Sequence, residues 1–125
     1  MAYDVHIVRS GNWFDAESNP IGKAEVDVVV HADPELAWSQ TDYVDMSDDS
    51  GAVTRYFMIT WRGTSAFWWY RDQVVSSGPT AAHLAKFVRI ARALKARVVG
   101  DDGESYDLKE GRLGAEELVT TPPAA

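Results

Sequence analysis

At 125 residues and 46% apolar composition, the chain is long enough for one domain with a true core and too apolar to be disordered. It holds no cysteine, which excludes disulfides, thiolate metal sites and cysteine nucleophiles and fits a reducing, cytoplasmic setting. A formal charge of −7 argues against nucleic acid, whose phosphates demand clustered Lys and Arg, and suits a basic protein partner.

The opening MAYDVHIVR lacks a basic stretch followed by an apolar run, so no signal peptide is expected. No later stretch approaches the roughly 20 apolar residues of a membrane span. Residues 3–9, YDVHIVR, alternate as a strand, with Tyr3, Val5 and Ile7 on one face and Asp4, His6 and Val8 on the other. NWFDAESNP reads as a turn region punctuated by Asn12, Asn19 and Pro20. The segment 22–32 is ambiguous. Its valines favour a strand by propensity, whereas the spacing of Val26, Val29 and Val30 and the stop at Pro34 favour a short helix, which is the reading taken. AWSQTDYVDM, VTRYFMITW, AFWWYRD and QVVSS follow as strands, with turns at SDDSGA and RGTS. From Thr80, the residues Leu84, Phe87, Val88, Ala91 and Leu94 form one apolar stripe, the clearest helix in the chain. RVVG and ESYDL close as a hairpin, and VTTPPAA reads as a frayed tail.

The expected fold is therefore α+β. It is a single layer of mostly antiparallel sheet, about five or six strands, packed against one long C-terminal helix and one short N-terminal helix. One domain is expected over 1–113, with a flexible tail over 114–125.

Charge is segregated along this chain. From Ala24 to Thr54 lie Glu25, Asp27, Asp33, Glu35, Asp42, Asp45, Asp48 and Asp49 with no Lys or Arg. From Gln73 to Gly100 lie Lys86, Arg89, Arg92, Lys95 and Arg97 with no acid. The two segments either solvate separate faces, pair with each other, or leave the acidic third free to dock a partner.

Motifs for chemistry are sparse. GDDGESYD (100–107) fails as a calcium loop. Counting from Asp101, the third, sixth and twelfth positions are Gly103, Tyr106 and Arg112, where an EF-hand needs an oxygen ligand, Gly and Glu. Asp-Gly instead marks a tight hairpin. His6, His31 and His83 show no ligand spacing, so no metal site is assigned, and no phosphate-binding or nucleophile motif calls for a cofactor. Asp4 and His6 share a strand face, about 7 Å apart at Cβ, and make the candidate ligand site. The carboxylate could orient the imidazole if a third group supplied a nucleophile, whereas a strand histidine bonded to a backbone or tyrosine partner is the commoner arrangement. No catalytic residue is assigned.

Five Trp are the compositional outlier. Trp68 and Trp69 are strand neighbours and point to opposite faces, so one belongs to the core and the other is free to anchor a partner. Arg55, Arg62 and Arg71 interleave with the aromatics and are placed to stack on them. The candidate partner-binding residues are Asp33, Glu35, Trp38, Asp42, Asp45, Asp48, Asp49 and Trp69.

Several blocks carry a resemblance: YDVHIVR at 3–9, NWFD at 12–15, PI at 20–21, DPEL at 33–36, FWWYR at 67–71, and LAKFVRIARALKARVVGDDGESYD at 84–107. Together they resemble a widespread family of small uncharacterised bacterial proteins. The resemblance implies a helix at 22–32, where Val26 takes the place of a usual Trp. It departs at Lys95, where a helix-ending Gly is usual, and it implies no catalytic residues. Members are similar in size and acidity to immunity proteins of bacterial toxin systems. The expected function is thus a non-catalytic cytoplasmic domain that binds and neutralises a basic toxin partner, without nucleic acid or membrane. The alternative is a small-molecule site or enzyme in a cleft near Asp4, His6 and exposed aromatics.

Overall fold

The computed structural model describes residues 3–123. In chain order the elements are β1 (Asp4–Val8), a short 3-10 helical segment (Trp13–Ser18), α1 (Lys23–Ala32), β2 (Leu36–Ser47), β3 (Val53–Trp61), β4 (Thr64–Tyr70) and β5 (Gln73–Ser77). Then come α2 (Ala81–Ala93), β6 (Arg97–Gly100), β7 (Ser105–Glu110) and β8 (Glu116–Thr121). All eight strands join one sheet in the order β2-β3-β4-β5-β1-β6-β7-β8, and every neighbouring pair is antiparallel.

This overturns the expected sheet of five or six strands with a long C-terminal helix. α2 is a 13-residue helix in the middle of the topology, followed by three strands. Residues 116–121, expected in a frayed tail, form the outer strand β8, paired with β7 over six positions from Ser105↔Thr121 to Glu110↔Glu116. The pattern EELVTT is too polar to announce a strand. Its support is tertiary: Arg89 and Arg92 of α2 both reach Glu116, and Arg92 also binds Asp107 on β7. The final two residues of the expected tail, 124 and 125, lie outside the described residues.

β1 is the strand on which both halves of the sheet meet, pairing β5 on one side and β6 on the other. Alternation decides what each face of it does. Val5 and Ile7 point into the main core with Val74, Val98, Ile59 and Phe67, under Val26 and Val30 of α1 and Phe87, Val88 and Ala91 of α2. Phe67 and Phe87 stack at 5.1 Å, each fully buried, and contribute on the order of 3 kcal/mol apiece by area removed from water. Val8 points the other way, into a small second cluster with Val99 and Ala16 beneath Trp13. The segment 12–20, expected as plain turn, therefore covers the back of the sheet, while α1 and α2 cover the front.

The hairpins β3–β4 and β4–β5 turn on Arg62-Gly63 (φ 51°, 83°) and Arg71-Asp72 (φ 44°, 70°). Positive φ at both central residues is the mirror-image turn that matches strand twist. α2 starts at Thr80, whose hydroxyl accepts the His83 N–H at 3.2 Å. It ends in a left-handed residue, Lys95 (φ 53°), with Lys95 N–H bonding Arg92 C=O and Ala96 N–H bonding Ala91 C=O.

Candidate functional site

On the back face, the register aligns Met58, Trp68, Val75, His6, Val99 and Ser105 in one row across six strands. His6 sits in the middle of this row and is 5% exposed. Its Nδ1 lies 2.7 Å from Gln73 Oε1 and its Nε2 lies 2.8 Å from Asp101 Oδ1. The Gln73 amide is oriented by its own Nε2, which donates to the Trp13 carbonyl at 3.1 Å, so Oε1 faces the ring and Nδ1 donates to it. The Trp13 indole stacks flat on the imidazole (4.8 Å, 7°) and donates to the Asp101 carbonyl at 3.2 Å. Neither ring nitrogen is left to act on a substrate.

Asp4, the partner expected for His6, turns elsewhere. Its carboxylate accepts the Ser77 hydroxyl at 2.6 Å, and its N–H donates to Asp101 Oδ2 at 2.9 Å. Sequence reasoning missed Asp101, Gln73 and Trp13 as the histidine's surroundings. The available signal was GDDGESYD, read only as a turn. A cleft of about 480 Å³ opens beside this cluster, lined in part by Trp13, Phe14, Arg97, Asp101 and Asp102, and His6 is not on its wall.

The same stretch locks the N-terminus a second way. Glu104 Oε2 accepts the hydroxyls of Tyr3 at 2.5 Å and Tyr106 at 2.7 Å, and Asp102 N–H donates to the Tyr3 oxygen at 3.1 Å. Burial pushes Glu104 up, yet the two phenols outweigh it and hold the carboxyl below its ordinary range. Burial first, then the bond to Glu104, pushes the Tyr3 phenol up to about 12, and the same two causes raise Tyr106. A Cβ at position 100 would fall on the Glu104 carboxylate, so any larger residue there forces that side chain out of its bonds to Tyr3 and Tyr106. The blocks YDVH and GDDGESY thus form one interlocking clamp.

The acidic third divides into two groups. Asp33 and Glu35 are bound internally: the Lys86 ammonium, on a side chain only 9% exposed, lies 2.6 Å from Asp33 and 2.8 Å from Glu35. Arg62 adds a bond to Glu35 at 2.8 Å. Lys86 first and Arg62 second hold Glu35 down at about 2. Burial pushes Lys86 down and Asp33 up, but their mutual bond, with Glu35 joining at Lys86, outweighs burial and moves both the opposite way. This clamp ties α2 to the α1–β2 connection.

The second group lies on the β2–β3 hairpin at the sheet edge. Asp45 pairs with Arg55 at 2.9 Å, and that guanidinium lies 3.6 Å over the Tyr43 ring. Asp42 accepts only hydroxyls among the described bonds, from Ser65 at 2.5 Å and Thr41 at 3.5 Å. Asp48 closes the hairpin turn, accepting the Ser50 hydroxyl and the N–H groups of Ser50 and Ala52, which hold it below its ordinary range. Asp49 is exposed beside it. Around these acids Tyr43 (45% exposed), Phe57 (39%) and Val53 (64%) face solvent.

Of the two candidate tryptophans, Trp69 belongs to the core. It packs against the main cluster and its indole donates to the Ile21 carbonyl at 2.8 Å. Trp38 is half-buried at the base of the hairpin, donating to Asp27 at 2.7 Å with the Lys23 ammonium 5.4 Å over its ring. The remaining interleaved arginines also lie on rings, Arg62 over Trp61 and Arg71 over Tyr70. The hairpin's aromatic residues Tyr43 and Phe57 were overlooked, because only register shows that they stand opposite each other.

Fold and surfaces together define the class: a mostly-sheet domain, one antiparallel sheet of eight strands with two short helices on one face and an acidic, aromatic hairpin at one edge. No protein-family model matches the chain, and searches of curated proteins and of solved structures return no match. Among the described residues, no helix is long and apolar enough to cross a membrane, and no group of three or more His, Asp or Glu side chains is placed to hold a metal ion.

Proposed function

We propose that this domain is a non-catalytic cytoplasmic protein that binds and neutralises a basic protein partner, in the manner of an immunity protein of a bacterial toxin pair. The observation that carries the reading is the β2–β3 hairpin. It brings Asp42, Asp48 and Asp49, none of which has a cation within salt-bridge distance among the described residues, together with exposed Tyr43, Phe57 and Val53. Apolar anchors ringed by charge are the composition of a protein-docking surface, and an acidic field speeds encounter with a basic partner. The alternative, chemistry at Asp4 and His6, loses support from the geometry. The imidazole is buried with both nitrogens occupied, and Asp4 binds Ser77.

The test is coexpression with the product of the neighbouring gene. Restored growth and a complex that weakens with added salt would support the reading. Undiminished killing and no copurification would end it.

A further inference from the structure

We infer that the cleft at the base of the β2–β3 hairpin is the receptor for an extended, lysine- or arginine-bearing segment of the partner, which inserts an apolar side chain against Trp38 and Phe57. The inference rests on the protein-binding reading above and names the part of the surface that does the work.

The cleft holds about 430 Å³ between α1, at Lys23 and Asp27, and the hairpin, at Trp38, Ser39, Gln40 and Phe57. Its aromatic wall is fixed before any partner arrives. The Trp38 indole is tied to Asp27 at 2.7 Å and covered on one face by Lys23, and Phe57 packs edge-on against Tyr43 at 6.0 Å. A pre-ordered wall spares the partner the entropy of arranging it.

The edge of β2 offers a second way to bind a strand, and local geometry disfavours it. The register with β3 leaps from Trp38↔Ile59 to Tyr43↔Phe57, so Ser39–Asp42 bulge out of the ladder. Within the bulge the Ser39 hydroxyl accepts the N–H groups of Thr41 at 3.2 Å and Asp42 at 2.8 Å. Those donors are taken, and a bulge of this kind breaks the continuous edge that strand addition needs. Side chains entering the cleft are what remains.

Charge selects the occupant. Asp42, Asp45, Asp48 and Asp49 stand along the hairpin outside the cleft, where Asp45 engages Arg55 and Arg71 attracts Asp48. Lys23 lies over Trp38 in the cleft wall, so the cleft takes the apolar side chain and the hairpin acids take the segment's cations. A second copy of this chain would set the same carboxylates against one another. A cationic segment meets them favourably.

The probe is an acetylated, amidated hexapeptide alternating lysine with leucine or phenylalanine, titrated into the ¹⁵N-labelled protein at low salt. The Trp38 indole N–H resonance is assigned by Trp38→Phe. The expected result is saturable shifts at that indole and at the Ser39 and Gln40 amides, with Kd on the order of 1 mM. Phe57→Ala, which alters only a partly exposed side chain, and Asp42→Lys, which reverses rim charge, should each weaken binding about five- to tenfold. Shifts centred on another face would overturn the inference, as would equal binding of the peptide with glutamate in place of lysine. Movement of the Trp38 resonance with protein concentration alone would give the cleft to a second copy instead. In the coexpression assay, full neutralisation by Phe57→Ala and Asp42→Lys would remove this site and leave the protein-binding reading. Failure of the unaltered protein to neutralise would remove that reading itself, whatever the peptide does.

Discussion

Replacing His6 by Ala tests whether the centre of the back face is a structural joint. The substitution removes a hydrogen bond to Gln73, a charge-assisted bond to Asp101 and a flat stack on Trp13. A neutral buried bond contributes about 1 kcal/mol, and one to a carboxylate about 1.5–3 kcal/mol. The stack adds about 0.5–1.5 kcal/mol. The Asp101 side chain is 33% exposed, so water partly compensates its loss and the low end of the sum applies. The expected cost is about 3 kcal/mol, a large share of the roughly 5–15 kcal/mol of a typical domain, lowering Tm by on the order of 12 °C. Urea unfolding at pH 7 measures it. A cycle with Asp101→Ala should return a coupling of at least about 1 kcal/mol, because the two side chains are direct partners. A loss below about 0.5 kcal/mol, or strict additivity, would refute the joint. So would a His6→Ala protein that remains fully folded yet no longer neutralises its partner, since that outcome assigns His6 to function.

Three further outcomes follow from the same structure. Lys86→Met keeps the aliphatic stem but strips the ammonium from Asp33 and leaves Glu35 with Arg62 alone. Since those carboxylates are 28% and 37% exposed, the cost is expected near 2 kcal/mol in urea titrations, under the full figure for a buried pair. Its pH profile has a defined sign. Glu35 is held at about 2, so its contribution is present above its ordinary value of 4.5 and is lost as pH falls through 2. Lys86 is raised, so its contribution is present below 10.5 and is lost as pH climbs through its folded value. Lys86→Met should therefore flatten both limbs of stability against pH, and an unchanged profile would contradict the clamp. Lys95→Gly should stabilise by about 1 kcal/mol in thermal melts, because Lys95 ends α2 in the left-handed region that only glycine enters without penalty. Gly100→Ala should displace Glu104 from Tyr3 and Tyr106, cost about 1–2 kcal/mol, and bring the Tyr3 phenol down from about 12 in an ultraviolet titration.

Local pattern in the sequence determined the type of most elements. The alternation of YDVHIVR separates Val5 and Ile7 from His6 and Val8, and the two sets do face opposite sides of β1. The stripe from Leu84 to Leu94 lies along α2 and turns into the core. The spacing of Val26 and Val30 outweighs valine's strand propensity because both positions bury against the sheet. Such readings succeed where the deciding interactions lie within one or two turns of chain.

Where the deciding partner lies far along the chain, only the tertiary structure could choose it. Adjacency in the sequence points His6 to Asp4 two residues away, yet its carboxylate is Asp101, 95 residues on. Asp33 and Glu35 looked free because Lys86 comes some fifty positions later. EELVTT became a strand through its ladder with β7, the packing of Leu118 on the core and the arginines of α2. Strand pairing and ion pairing depend on which distant segments the core brings side by side, and periodicity along the chain carries no record of that choice. Composition showed an acidic chain rich in tryptophan. The fold decided which carboxylates were neutralised inside it and which were left, with Tyr43 and Phe57, on the open hairpin.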